Sequence, residues 1–486
     1  MTQKFDLCLI NAQIVTEETV FPGFVVVDQG KIVQVGCGIV GAGDGKTEDR
    51  RRKAEDRGWG DGRASLPPVA AHRVIDLHGL HLLPGVVDAH VHFNQPGRDD
   101  WEGYETGSMA AAAGGVTTVL DMPLNATPPT TNRARLELKR QVVGSQSVVD
   151  YGHWGGFVNN NLADLADLNT AGVIGFKAFA SNSGVDFERI DDDLLYAGLI
   201  KMRAMGNLIG LHAENEYVTS FLGKQLRESG RTDRASWYES RPPETELEAI
   251  QRACYWAKVT GGNLHIVHVS IAEGVRTIAQ SKLEGVNVTA ETCPHYLFFN
   301  HQDFERIGPA AKCAPPIRSR EDVEGLWQCV LDGLVDTIGS DHSPCTWAQK
   351  EKGMDNIWEA WGGVSGIQVM LPALLSEGVH KRGLPLSALV KLLAANPARL
   401  FGLYPQKGAI NPGADADLVV VDLNREWTLA ADQLFYKNKH SAYTGYTFKG
   451  KVEQTLVRGE TVFQDGQIKA QPGYGQLLRR NYPYAF

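Results

Sequence analysis

Between residues 82 and 342 the chain repeats one pattern, a short apolar segment of buried-strand character followed by a stretch with apolar residues at three- and four-residue spacing. Eight segments fit the first description, at 82–93, 116–122, 151–158, 173–180, 208–214, 264–270, 286–292 and 335–341. The stretches between them, such as 133–143, 193–205, 246–259 and 321–331, read as amphipathic helices. Strand–helix alternation sustained over about 250 residues predicts an α/β chain built as a (β/α)8, TIM-like barrel, with helices outside and the functional residues at the carboxyl ends of the strands.

The flanks differ. Short β-rich pieces, Leu7-Cys8-Leu9-Ile10, Phe24-Val25-Val26-Val27 and Lys31-Ile32-Val33, are separated by Asn, Asp and Gly turns. Beyond the barrel the same style returns in Leu418-Val419-Val420-Val421-Asp422 and Leu456-Val457-Arg458-Gly459-Glu460-Thr461-Val462. The simplest architecture pairs both ends into a small β-sandwich domain, 1–80 with 405–470, beside a barrel at 81–404, with 471–486 as a tail. Residues 41–65, dense in charge and glycine, read as a flexible solvated insertion, and acids flanking Arg50-Arg51-Arg52-Lys53 argue against a dedicated anion patch there.

Composition narrows the partners. With 48 Lys+Arg against 57 Asp+Glu and a net charge of -9, the chain lacks the basic excess that phosphate backbones require, so no nucleic-acid partner is expected. No segment approaches the roughly 20 apolar residues of a spanning helix, so no membrane is expected either. Asp6 interrupts the amino terminus before any apolar run, so no signal peptide is readable. Seven widely spaced cysteines without a Cys-x-x-Cys pair suit a reducing compartment, and a cytoplasmic enzyme is the expectation.

The chemistry gathers at the strand ends. His90 and His92 alternate onto one face of the first strand; alone, such a pair is weak evidence and reads more readily as an ordinary polar strand end. His212, His268 and Asp341 end three further strands, and imidazole and carboxylate donors converging on one face suit zinc and similar divalent ions. His265 and His342 fall off this set by parity and position and read as packing or supporting residues. Lys177, between Phe176 and Phe179 in a strand buried on both sides, is costly as an unpaired ammonium. It could become a carbamate by adding carbon dioxide, or snorkel out, or pair with an acid.

The segments PGVVDAHVHFNQPGRDDWEGYETGSMAAAAGGVTTVLDMPLN, GFKAF, LHAEN, LHIVHVS, ETCPHY, KCAPPIR, SDHSPC and NPGADADLVVVD together resemble the amidohydrolase superfamily, in its cyclic-amidohydrolase branch, and within that branch the allantoinases. The resemblance spans nearly the whole chain outside 41–65. It implies two divalent metal ions per subunit, zinc foremost although cobalt, manganese or iron also suit such donors. His90 and His92 would bind the more buried ion, Lys177 as N6-carboxylysine would bridge, and His212 and His268 would bind the second. Asp341 would bind the first ion and act as the general base. The implied reaction is hydrolytic opening of a cyclic amide, and the implied assembly is a homotetramer.

Substrate choice rests on fewer residues. Dihydroorotases follow His-x-His with an arginine that pairs with a substrate carboxylate; here Phe93 is followed by Asn94, which favours a neutral hydantoin such as allantoin, opened to allantoate. Gln95 stands where allantoinases commonly carry Glu, and Arg98 either reaches the site or is structural. Candidate substrate contacts are Asn125, Thr292, Cys293, Ala314 and Ser343, each equally readable as a turn or loop residue. Residues 358–366 either cover the mouth or place their tryptophans in the core, while Cys293, Cys313 and Cys345 read as bystander thiols. The alternatives are a dihydropyrimidinase or hydantoinase, a dihydroorotase, and a non-catalytic oligomeric interaction protein on the same scaffold.

Overall fold

The computed structural model describes residues 4–39 and 70–481; the 41–65 insertion and its basic run lie outside the described residues. Strands β1 (Phe5–Val15), β2 (Val20–Asp28), β3 (Lys31–Cys37), β4 (Ala71–Asp76) and β5 (His81–Pro84) join β15 (Leu418–Thr428), β16 (Thr447–Val457), β17 (Glu460–Gln464) and β18 (Gln467–Ile468) in one nine-stranded sheet. The two chain ends meet where β5 pairs antiparallel with β15, placing Leu82 opposite Val420. β1 carries the sheet's branch: its first half pairs with β4 and its second half with β5. A register shift between Leu9 and Ala12, at Asn11 with φ 56, moves the inward face from Leu7 and Leu9 to Ala12 and Ile14, so all four join one apolar core with Val25, Val27, Leu418 and Leu456.

The barrel strands are β6 (Val86–Val91), β7 (Val116–Asp121), β8 (Asp150–His153), β9 (Gly155–Gly156), β10 (Phe176–Phe179), β11 (Ile209–His212), β12 (Leu264–Ile266), β13 (Val288–Thr292) and β14 (Thr337–Ile338), of which β8 and β9 are halves of one strand interrupted at Trp154. All pairings are parallel, and a bridge from Val91 to His342 closes the ring. The segment expected as one strand at 82–93 is two: β5 belongs to the terminal sheet and β6 opens the barrel. Gly85 lies between them, at a point where a Cβ would meet Thr117 Oγ1 at 2.1 Å.

Inside the barrel, Gly175 and Gly210 leave room for the Trp154 indole, which a Cβ at either position would meet at 2.8 Å. Lys177 and His212 follow these glycines by two residues, so strand alternation places them on the same inward side, one layer nearer the mouth. The outer helices bear out the expected periodicity, Arg133–Val143 capped by the Asn132 side chain and Arg320–Leu331 by a reciprocal Ser319–Asp322 box. Helix Pro243–Thr260 buries Ala249, Ile250, Ala253 and Ala257 against the barrel and stops at Gly261, whose φ of 66 suits glycine. Residues 476–478 run beside β8, where Gln476 N donates to Asp150 at 2.8 Å and Leu478 N to the Tyr151 carbonyl at 2.7 Å.

Candidate metal centre

His90, His92 and Asp341 converge at the mouth, with Asp341 Oδ1 3.2 Å from His90 Nε2 and 3.3 Å from His92 Nε2. Across the cavity, His212 Nδ1 faces His268 Nε2 at 3.0 Å, and the His90 and His268 rings lie 5.4 Å apart. Lys177 lines the same cavity, 1% exposed, its Nζ without a hydrogen-bond partner and 4.9 Å from the Phe179 ring centre. Burial pushes its ammonium down to about 8, against the opposing pull of Asp341 and Glu291. Strand alternation does not aim two of these residues: His268 and Asp341 both sit at φ 43, past the ends of their strands, in a left-handed conformation that non-glycine residues adopt at a cost.

The chain's own groups hold this set in place. His90 Nδ1 lies 2.6 Å from Glu291 Oε1, which fixes the ring so that Nε2 faces the cavity. Gly339 makes room for that pair, since a Cβ there would lie 2.8 Å from Glu291 and 2.9 Å from His90. His212 Nε2 is 2.8 Å from Glu214, whose other partner is Arg241 at 2.6 Å. Burial alone would raise the Glu214 carboxyl, but Arg241 and then His212 hold it down at about 2. Asp341 follows the same logic: burial works against its charge, and the imidazoles of His90 and His92 keep it well below the usual carboxylate range. Asp88 has no such cation, and burial pushes it up to about 7 although Ser340 N and His90 N both donate to it.

These donors fit divalent ions. His90 Nε2 and Lys177 Nζ are buried without hydrogen-bond partners, and His90, His92 and Asp341 bring one ligand atom each within 4.8 Å of one another. An apolar or hydrogen-bonded core would not leave such nitrogens unpaired in one place.

Among the expected substrate contacts, Asn125, Ala314 and Ser343 line the cavity. Thr292 and Cys293 are not among its lining residues: the Thr292 hydroxyl donates to the Val269 carbonyl at 2.7 Å, and Cys293 is buried in the main apolar core. Cys313 does line the cavity, but burial pushes its thiol up to about 12, unlike a thiolate ligand. No disulfide forms; all seven cysteines are free. His265 turns to Thr289 at 2.8 Å and His342 accepts from Gly366 N at 3.2 Å, both away from the ligand set.

The loop after β6 resolves its two open residues. Gln95 donates to Asp99 at 2.6 Å and accepts from Tyr104 N at 2.8 Å, so its carboxamide anchors the start of the next helix. Arg98 donates to the Asn125 carbonyl at 2.6 Å and stacks over Trp101, while Asn94 donates to the Pro344 carbonyl at 3.2 Å. Residues 358–366 divide: Trp358 packs on Trp237 and Arg227, whereas Trp361 and Gly362 line the cavity. Sequence reasoning missed Glu291, Glu214 and Asp88; the available signal was an acid inside a strand buried on both faces, which needs a partner to remain charged.

A closed parallel barrel with histidine, lysine and aspartate donors at its strand ends is the layout of a metal-dependent hydrolase. The family model described as "Amidohydrolase family" matches residues 81–462, and the chain belongs to that family. It is 47% identical to the allantoinase of Rubrobacter xylanophilus over 84% of this chain and 89% of that protein. It is 44% identical to the allantoinase of Solibacter usitatus over 93% and 96%, and 38% identical to that of Escherichia coli strain SE11 over 98% and 99%. Among solved structures, the L-hydantoinase (dihydropyrimidinase) from Arthrobacter aurescens superposes with a TM-score of 0.89 at 34% identity, covering 98% of this chain and 100% of that one.

Proposed function

We propose that this enzyme opens the hydantoin ring of allantoin to allantoate by hydrolysis of a ring amide bond. The observation that carries the choice of a neutral ring is the cavity lining: among the described residues Lys177 is its one basic chain besides the histidines, and no arginine enters it. Arg98 is held by the Asn125 carbonyl, and Asn94 is turned to Pro344, so neither offers the bidentate cation a carboxylated ring would need. The 38–47% identity to allantoinases over most of the chain supports the same substrate.

In this reading His90, His92 and Asp341 would hold one divalent ion, His212 and His268 would hold a second, and Lys177, as N6-carboxylysine, would supply a further ligand, zinc being the first candidate metal. Such ions supply Lewis-acid polarisation of the carbonyl and a water acidified towards neutrality. Glu291 and Glu214 keep His90 and His212 oriented by accepting their other ring protons. Asp341, placed between His90 and His92, takes the proton of the attacking water and returns it to the departing ring nitrogen. The lowered affinity of Lys177 for its proton supports carbamate formation, which needs the neutral amine. Seven free cysteines support a cytoplasmic location, and no described helix is long and apolar enough to cross a membrane. The homotetramer is proposed from the family resemblance alone.

Steady-state assay of protein expressed with added zinc, on allantoin, dihydroorotate, dihydrouracil and hydantoin, tests the proposal. Allantoin is expected to give the highest kcat/KM; preference for dihydroorotate or dihydrouracil overturns it.

A further inference from the structure

Away from the metal ligands, one wall of the cavity is lined by Cys313, Ala314, Trp361 and Gly362, from two segments distant in the chain. Residues 360–363 belong to no helix or strand, yet Ala360 and Gly363 are buried. Their carbonyls have no ladder or helical partner, and a buried carbonyl left unpaired is costly.

Two buried lysines supply the missing donors. Lys350 Nζ donates to the carbonyls of Trp361 at 2.8 Å and Gly363 at 2.6 Å, and Lys312 Nζ to those of Ala360 at 2.6 Å and Trp358 at 3.4 Å. The two segments are also joined directly, since the Lys312 carbonyl accepts from Gly363 N at 2.8 Å. Lys312 Nζ lies 4.0 Å from the Trp237 ring centre, and the Trp237 indole N–H donates to the Cys313 carbonyl at 2.7 Å, so both sides of the wall are held. Lys312 and Lys350 are 3% and 1% exposed, and neither forms an ion pair with a described residue. Burial and then the Lys350 charge push Lys312 down to about 6, and burial pushes Lys350 down to about 8 against the pull of Cys345 and Cys313. Loss of the proton still leaves each nitrogen two N–H groups for its two nearest carbonyls, so the arrangement does not require a buried charge.

We propose that Lys312 and Lys350 are positioning residues for substrate binding, clamping the wall of Cys313, Ala314, Trp361 and Gly362 in one shape. Neither lysine lines the cavity, and the proposed metal ligands stand on other segments, so the clamp acts on substrate affinity and leaves metal content alone. A wall fixed before the substrate arrives spares the cost of ordering it on binding. This inference rests on the reading of the cavity as the active site and adds what holds the side facing away from the metal ligands.

The test uses the metal-loaded full chain and two variants, Lys312→Met and Lys350→Met, which remove the donors and keep an apolar stem. On allantoin each is expected to raise KM about tenfold with kcat within about twofold of wild type and metal content unchanged. A KM within about threefold of wild type, a loss carried mainly by kcat, or a lowered metal content overturns the assignment, whatever the melting temperature does. A second measurement needs no variant: in the wild-type chain, peptides spanning 358–363 are expected to exchange their amide hydrogens far more slowly than unstructured chain. Exchange at the unprotected rate overturns the clamp even where a variant fails to fold. A wild-type enzyme that leaves allantoin unopened overturns the functional reading instead, and the exchange measurement still judges the clamp.

Discussion

Two groups of three buried ligand-type side chains stand at opposite ends of the barrel. His90, His92 and Asp341 lie at the carboxyl ends of the strands; Asp150, at the start of β8, meets Asp415 and Asp417 at the other end. Both satisfy the geometric requirement for a cation, yet their surroundings differ. The acidic group already contains one: Lys407 Nζ lies 2.5 Å from Asp150, 2.7 Å from Asp417 and 3.0 Å from Asp415. Arg458 and Lys31 complete it, and none of its oxygens is left unpaired. Burial would push the Lys407 ammonium down, but the three carboxylates outweigh it and hold the group protonated. The cluster fastens the terminal sheet to the barrel. At the mouth, by contrast, nitrogens remain without partners, so an ion or substrate is needed to complete the set. Closeness of ligand-type residues is common to structure and function; what separates them is whether the protein itself satisfies the charges.

The largest expected effect tests the mouth. Lys177→Ala should lower metal content below two equivalents per subunit and bring allantoin turnover to background, without reducing the stability of the metal-free protein, because the lysine is buried without a hydrogen-bond partner. Metal analysis beside an assay decides this, and intact content with intact turnover refutes the bridging role. Lys407→Met should behave in the opposite way. Leaving Asp150, Asp415 and Asp417 without their shared cation is expected to cost about 3–5 kcal/mol of stability in denaturant titration, with activity per folded molecule preserved. A Lys407→Met protein as stable as wild type would break the contrast between the two ends.

A smaller effect sharpens it. Glu291→Gln removes the charge behind His90 and should weaken metal binding by about 10–100-fold in chelator competition, leaving the fold intact. Unchanged affinity would show that Gly339 and packing alone orient the ring. Least is expected at the seam between sheet and barrel, where Glu17 accepts from Arg399 at 2.6 Å and from Tyr404 at 3.0 Å in partly exposed surroundings. The Arg399 hydrogen bonds, opposed by partial burial, hold the Glu17 carboxyl below its ordinary value. Its stabilisation is therefore present above the ordinary carboxylate pKa and is lost as pH falls through the depressed one. Glu17→Gln should remove under about 1 kcal/mol, and only on the neutral side of that range; an equal loss at low pH would assign it to packing instead.

Much of this was legible in the chain. Strand periodicity marks the barrel, and the shared face of His90 and His92 follows from alternation, which depends only on local backbone geometry. The helix at Arg133–Val143 was readable from its apolar residues at three- and four-residue spacing. The break between β5 and β6 was not, since it depends on which distant strand each half pairs with. The pairing of Glu291 with His90 was not legible, since which face of β13 meets which histidine is a matter of barrel register. Lys407 carried no local signal, because its three partners come from both sides of the barrel–sheet seam.

By itself, then, the sequence determined the eight-strand barrel, the paired termini and the donors available for metals, because hydrophobic period and residue chemistry are local properties. Only the tertiary structure decided which donors stay unsatisfied. The left-handed turns of His268 and Asp341, the glycine gaps beside Trp154 and Glu291, and the lysines that fix Trp361 and fill the acidic cluster all arise from contacts between distant segments, whose energies exist only once the chain has closed.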